Sequence, residues 1–157
     1  MAGARKVELD CEASLAQAAA RVVEVRAAEV FEHAEGVLDV DDVERVHDMR
    51  VATRRLRAAL EVFEVCFPKK RHRKALKRVK ALADALGERR DFDVEIELLE
   101  DLAEGVAEPD RDAHATLIAE LRARQRRANN ALTPFVAPKR LKKLRRRLAK
   151  LVKAVKA

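Results

Sequence analysis

Hydrophobic and polar positions alternate at helical spacing along nearly the whole chain. In residues 46–63, Met49, Ala52, Leu56, Ala59, Leu60 and Phe63 fall on one side of a helix turning about 100° per residue. His47, Arg50, Arg54 and Arg57, at i, i+3, i+7 and i+10, fall on the other side within an arc of about 80°. Upstream, Leu15, Ala18, Ala19, Val22, Val25 and Val30 share a face, with Arg26 and His33 on the same line. Downstream, the apolar stripes are Leu76, Val79, Leu82, Ala83 and Leu86, then Val94, Ile96, Leu98, Leu99 and Leu102. Leu117, Leu121, Ala128 and Leu132 form the next, with Arg124 on the same line. Leu141, Leu144, Leu148, Leu151 and Val155 follow heptad spacing at the C-terminal end.

Local punctuation divides these stripes into six predicted helices, at 8–38, 43–66, 69–86, 92–104, 110–132 and 139–157. Gly36 and the run Asp39-Val40-Asp41-Asp42 break the first, and Asp41 or Asp42 suits the N-cap of the second. Phe67-Pro68 ends the second, because the residue before proline is disfavoured in the helical region. Gly87 is a natural C-terminal stop, Arg89-Arg90-Asp91 a turn, and Asp91 a cap for the fourth helix. Residues 105–109 form the next break, and Pro134 and Pro138 the last. A chain of 157 residues suffices for one domain with a buried core. The expectation is an all-α antiparallel bundle of about six helices, one domain over 1–157.

Composition agrees. Apolar residues are mainly Ala, Val and Leu; Trp and Tyr are absent, and there are five Phe and four Gly. That mixture favours helices over strands. The net charge of +7 hides a segregated distribution. Residues 69–90 hold 10 basic and 2 acidic groups, 91–120 hold 1 and 11, and 121–157 hold 14 and 0. Such a field attracts polyanions locally, so nucleic acid, anionic membrane and inorganic phosphate polymers are all admissible partners. Cys11 and Cys66 lack metal-ligand spacing and read as two buried thiols. Without a signal peptide or an apolar run of membrane-spanning length, a cytoplasmic location is expected.

The row His47, Arg50, Arg54, Arg57 is either a solvated face or an anion-binding one. It uses Arg and never Lys, begins with a histidine, and meets one acid, Glu61, at its far end. Arg forks grip phosphate oxygens bidentately, Lys adds mobile charge, and His gains a proton readily beside an anion. Successive cations about one turn, roughly 5 Å, apart make a rail for a repeating anion more than a pocket for a small ligand. Arg73, Lys77 and Lys80 line one flank of the next helix, and Lys74 with Arg78 the other. The run Lys69-Lys70-Arg71-His72-Arg73-Lys74 puts cations where the helix dipole prefers anions. Arg26 and His33 read either as core groups with hydrogen-bond partners or as facing the same anion as His47. Arg124 either snorkels or faces a polar cavity, and His114 reads as a surface or capping group. The helix at 139–157 carries ten Lys or Arg and no acid. It reads as the last helix of the bundle with its stripe docked, or as a surface for nucleic acid or anionic membrane.

No glycine-rich phosphate loop, nucleophile motif, His-x-x-x-His or Cys-x-x-Cys appears. Four histidines at 33, 47, 72 and 114 are too scattered for a ready metal site, so neither a metal nor a cofactor is expected. The scarcity of aromatic side chains argues against single-stranded nucleic-acid readout.

In Val46-His47-Asp48-Met49-Arg50-Val51, continuing through Arg54-Arg55-Leu56-Arg57, the sequence resembles the CHAD family, a helical domain named for its histidines. The resemblance continues in Val79-Lys80-Ala81-Leu82, Leu86-Gly87 and Arg90-Asp91-Phe92-Asp93-Val94, and covers residues 43–102 best. It implies a helical bundle that binds inorganic polyphosphate through a basic surface without catalysing its turnover, in association with polyphosphate granules. By motif match, His47, Arg50, Arg54, Arg57 and Lys80 inherit the binding role, with Arg55 and Arg90 as lesser candidates. Family members typically repeat the bundle, with a second histidine-bearing basic helix; the helix at 139–157 has no histidine. The expectation is a single repeat that either pairs with itself as a homodimer or is a fragment. An enzyme acting on phosphate chains, and a nucleic-acid or membrane adaptor using 139–157, are the competing readings.

Overall fold

The computed structural model describes residues 3–156. Among them it is all-helical, with five α-helices: α1 (Leu15–Glu32), α2 (Val43–Val62), α3 (Lys69–Leu102), α4 (Arg111–Val136) and α5 (Pro138–Lys156). Short 3-10 turns at Glu64–Cys66, Ala103–Gly105 and Glu108–Asp110 fill the connections.

The count is five because the helices expected at 69–86 and 92–104 are one helix of 34 residues. Gly87 does not stop it. The only positive-φ residue among those described is Gly36, at 69°, so the backbone at Gly87 stays right-handed. One interior glycine costs about 1 kcal/mol relative to alanine. Its Ala-, Leu-, Glu- and Arg-rich surroundings, and an i,i+4 pair between Arg89 and Asp93, outweigh that cost. Arg89-Arg90-Asp91 is accordingly mid-helix, and Asp91 caps nothing.

The other boundaries shift for local reasons. α1 begins at Leu15, not at 8, because Ser14 and Gln17 form a reciprocal capping box: Gln17 N donates to Ser14 Oγ (3.3 Å), and Ser14 N to Gln17 Oε1 (2.9 Å). It ends at Glu32, before the left-handed turn at Gly36. Asp42 occupies the N-cap position of α2 but makes no cap bond; its carboxylate accepts from Arg45 Nε at 2.7 Å. α4 runs through Pro134 to Val136, since a proline two residues from the end removes little of the hydrogen-bond ladder. Only Ala137 separates α4 from α5, whose first residue, Pro138, loses no intrahelical bond there.

Helix α3 is the spine. At 1.5 Å per residue it spans about 50 Å, and other helices cover its two halves. Its first half packs beside α2 and α5, and both of those pack on α1, giving a ring of four antiparallel neighbours. The polarity is visible in paired positions: His72 Nε2 donates to the Leu60 carbonyl (2.7 Å), and Arg147 Nη1 to the Lys74 carbonyl (3.5 Å). Arg145 lies 4.6 Å over the Phe31 ring, joining α5 to α1. The second half of α3 is covered by α4 running back along it, with His114 Nε2 donating to the Leu99 carbonyl at 2.9 Å.

The core of the four-helix ring contains Val23, Val30, Met49, Leu56, Leu60, Val79, Leu82, Leu86, Leu148 and Leu151, all buried. The C-terminal stripe is therefore docked, with Leu144 and Val152 also buried. Several expected core residues are not. Val94, Leu98, Leu102 and Leu117 are exposed because a single neighbour, α4, covers only one face of distal α3. There the buried positions are Arg89, Asp93 and Ile96. Leu15, in the first turn of α1, is also exposed. Cys11 is exposed and Cys66 half-buried, both free, so the expected pair of buried thiols is not found. Cys11 precedes α1 and has no core to enter.

Candidate polyanion-binding site

The row on α2 is formed as its spacing requires. Val46, Met49, Ala52, Thr53, Leu56 and Leu60 are buried, which turns the opposite face outward. Arg54 is exposed there, and His47, Arg50 and Arg57 are partly exposed. Arg50, Arg54 and Arg57 line one wall of a groove between α2 and α3, with Ala83 and Gly87 at its base. A methyl group added at Gly87 would lie 4.0 Å from Arg50 Nε, ordinary contact distance.

The opposite wall differs from the sequence expectation. Asp84, Glu88 and Asp91 line it. Along the α3 stripe that faces α2, the charge changes sign: Arg73, Lys77 and Lys80 come first, then these three carboxylates. Because the helices are antiparallel, Arg50 sits opposite the acidic part and Arg57 opposite Lys80. The cations lining this groove are therefore Arg50, Arg54 and Arg57, with Arg50 beside carboxylates. Glu61 joins Arg57 to Lys80, Lys77 and Arg73 continue the same stripe of α3 toward its start, and His47 is not among the groove's lining residues.

One carboxylate lies within the rail. Glu61 Oε1 accepts from Lys80 Nζ (2.9 Å) and from Arg57 Nε (3.1 Å). Lys80 first, then Arg57, holds the Glu61 carboxyl below its ordinary value. Arg50, Arg54, Arg73 and Lys77 have no carboxylate within ion-pairing distance among the described residues.

The remaining candidates lie elsewhere. Arg26 Nη1 donates to Glu29 Oε1 (2.7 Å), a buried carboxylate that also accepts from Arg5 N. His33 is the C-cap of α1, its backbone N–H bonded to the Glu29 carbonyl. Neither lines the α2/α3 groove. Arg55 is half-buried. Arg90 is nearly buried with Glu97 at 3.9 Å. Arg124 is exposed and lines none of these grooves, so it does not face a polar cavity; the buried residues of α4 are Leu121, Gln125, Ala128, Leu132 and Val136. His72, placed by sequence in a cationic run, is buried, stacked on Phe67 and bonded to Leu60.

Sequence reading missed a buried polar bridge behind the groove. Arg89 Nη1 donates to Asp93 Oδ1, which also accepts from Gln125 Nε2 at 2.7 Å. Arg89 Nε donates to Asn129 Oδ1 (3.3 Å), and Asn129 Nδ2 to the Leu38 carbonyl (2.9 Å). Burial, with the adjacent Arg90 charge, lowers the Arg89 pKa from its ordinary value. The bridge ties α4 and the α1–α2 connection to the stretch of α3 that forms the acidic wall.

This arrangement places His47-Asp48-Met49-Arg50 and Arg54-Arg55-Leu56-Arg57 on the helix that supplies one wall, and Leu86-Gly87 with Arg90-Asp91-Phe92-Asp93 on the helix facing it. The family model for the CHAD domain matches residues 13–157. The chain belongs to the CHAD family. Neither a curated protein nor a solved structure matches it. The match extends well beyond 43–102, and takes in both α1 and the basic α5. In this CHAD domain the first motif supplies the exposed cationic wall. The second supplies the groove base through Gly87, its acidic rim through Asp91, and the buried bridge through Asp93. Among the described residues, no three His, Cys, Asp or Glu side chains converge into a metal-binding group, and no helix is long and apolar enough to cross a membrane.

Proposed function

We propose that this CHAD domain binds inorganic polyphosphate along the α2/α3 rail and does not catalyse its turnover. The observation that carries this reading is the groove along which Arg50, Arg54 and Arg57 of α2 lie side by side, joined to Lys80 of α3 through the carboxylate of Glu61, with Lys77 and Arg73 further along the same α3 stripe. Guanidinium forks at one-turn spacing suit phosphate oxygens repeating along a chain. The flanking carboxylates Asp84, Glu88 and Asp91 set one end of the rail by repulsion. Family membership supports the same ligand, and a cytoplasmic, granule-associated setting follows from that reading.

Docking of the α5 stripe into the core leaves that helix no apolar face to lay into a bilayer, which weakens the membrane alternative. The test is binding of long-chain polyphosphate, with orthophosphate as control, to the wild type and to Arg50→Ala/Arg54→Ala/Arg57→Ala. The expected result is tight binding of the polymer, weak binding of orthophosphate, and at least a tenfold loss in the variant. By analogy with single-stranded polyanions, the salt slope should fall by about 2. Unchanged affinity would remove the assigned site. Chain-length analysis after incubation with divalent metals should show no shortening; shortening would establish an enzyme instead.

A further inference from the structure

A second groove, on the other side of α3, is more strongly cationic than the first. Arg71 and Lys74 from α3 face Lys143, Arg146, Arg147 and Lys150 from α5, and no carboxylate lines it. It continues past Arg78 and Arg140, over a base of Ala81, Leu82 and Leu144. Lys74 and Arg78 project about 120–160° around α3 from Lys80 and about 60–100° from Lys77, and this groove shares no lining residue with the α2/α3 groove. Arg147 is half-buried and fixed across the groove by its bond to the Lys74 carbonyl. Arg71, Lys74, Arg78, Arg140, Lys143, Arg146 and Lys150 are exposed, and no carboxylate lines the groove they form.

Two antiparallel helices about 8–10 Å apart leave a trough one extended chain wide. Such a trough admits a single strand of phosphates along its base, whereas a duplex would meet only its rim. Its one aromatic, Phe135, packs on the core and leaves no stacking platform for successive bases. Cations on both walls, with low-dielectric helices between them, concentrate the field inside the trough.

We propose that the α3/α5 groove is a second polyphosphate track, so that both faces of the first half of α3 bind the polymer. The inference rests on the polyphosphate reading of the family and of the α2 row. The tracks are separated by one helix, about 10–12 Å across. A sufficiently long chain passes around the start of α3, over Lys69, Lys70 and Arg71, and occupies both. Its second contact is then intramolecular, which raises affinity with chain length.

The experiment compares the wild type, the α2 row variant above, and Lys74→Ala/Lys143→Ala/Arg146→Ala/Lys150→Ala. All four of the latter positions are exposed, and far-UV circular dichroism checks that the fold is retained. Calorimetry with short-chain polyphosphate should give two sites per wild-type chain and one in either variant. Long-chain affinity should drop at least tenfold in the quadruple variant, and its salt slope by about 3, as for single-stranded polyanions. A single wild-type site, lost in the α2 row variant and untouched in the quadruple variant, would overturn the second track and leave the first standing. A single site lost only in the quadruple variant would instead overturn the assignment to α2. Loss of duplex or single-stranded DNA binding in the quadruple variant, with polyphosphate binding unchanged at both chain lengths, would overturn the inference in favour of a nucleic-acid groove.

Discussion

Replacing Asp93 by alanine removes the counter-charge of Arg89, a fully buried cation. Arg89 and Asp93 have fully buried side chains, and Gln125 and Asn129 complete the network. In Asp93→Ala the Arg89 guanidinium keeps its charge, loses its carboxylate, and has no path to water. Breaking one side of a buried pair costs about 3–5 kcal/mol, a large share of the roughly 5–15 kcal/mol that holds a domain folded. At about 2–4 °C per kcal/mol for a chain of this size, the melting temperature should fall by roughly 6–20 °C. Thermal denaturation followed at 222 nm measures this directly. The double variant Arg89→Met/Asp93→Leu should recover most of the loss, because an apolar pair of similar volume is often neutral or better. A single variant melting within about 3 °C of the wild type, or a double variant as unstable as the single, would refute this account of the bridge.

Two further outcomes follow from individual contacts. Gly87→Ala should raise stability by about 0.5–1 kcal/mol, since Gly87 is mid-helix and the added methyl meets only ordinary contact with Arg50; a lower melting temperature would contradict the packing at the groove base. Glu61→Gln frees Lys80 and Arg57, so polyphosphate affinity should rise about two- to fivefold, the worth of an exposed ion pair; weaker binding would mean that Glu61 orients the rail instead of masking it. Because Lys80 and Arg57 hold the Glu61 carboxyl below its ordinary value in the folded protein, its ion pairs stabilise the fold above the ordinary carboxyl range. That contribution is lost as pH falls through the lower folded value. The stability gap between wild type and Glu61→Gln, measured by denaturant titration, should therefore close with acidification; a gap that persists at the acid end would refute the coupling.

Much of this was legible in the chain because helical periodicity is a local signal. The α2 faces, the apolar stripe of α5 and the proline-marked end of the second helix follow from residues a few positions apart. What failed depended on partners remote in sequence. Gly87 and Asp91 carry stop and cap chemistry, but Asp93, Gln125 and Asn129 hold Arg89 inside a continuous helix, and those contacts span up to 40 positions. The exposure of Val94 and Leu98 reflects how few helices cover distal α3, which an amphipathic pattern does not encode. The acidic wall at Asp84, Glu88 and Asp91 was present in sequence at i, i+4 and i+7, yet only antiparallel register against α2 sets it opposite Arg50. Lys74 and Arg78 were visible as a separate flank. That they converge with Lys143, Arg146 and Lys150 required knowing that α5 folds back against α3.

The most direct test is competition at physiological salt between long-chain polyphosphate and duplex DNA for the unmodified protein. Both are polyanions, so a basic surface alone does not choose between them. With rails one chain wide and no base-reading elements, polyphosphate at equal phosphate concentration should displace duplex DNA, while DNA should fail to displace polyphosphate. Retention of DNA against excess polyphosphate would contradict the account.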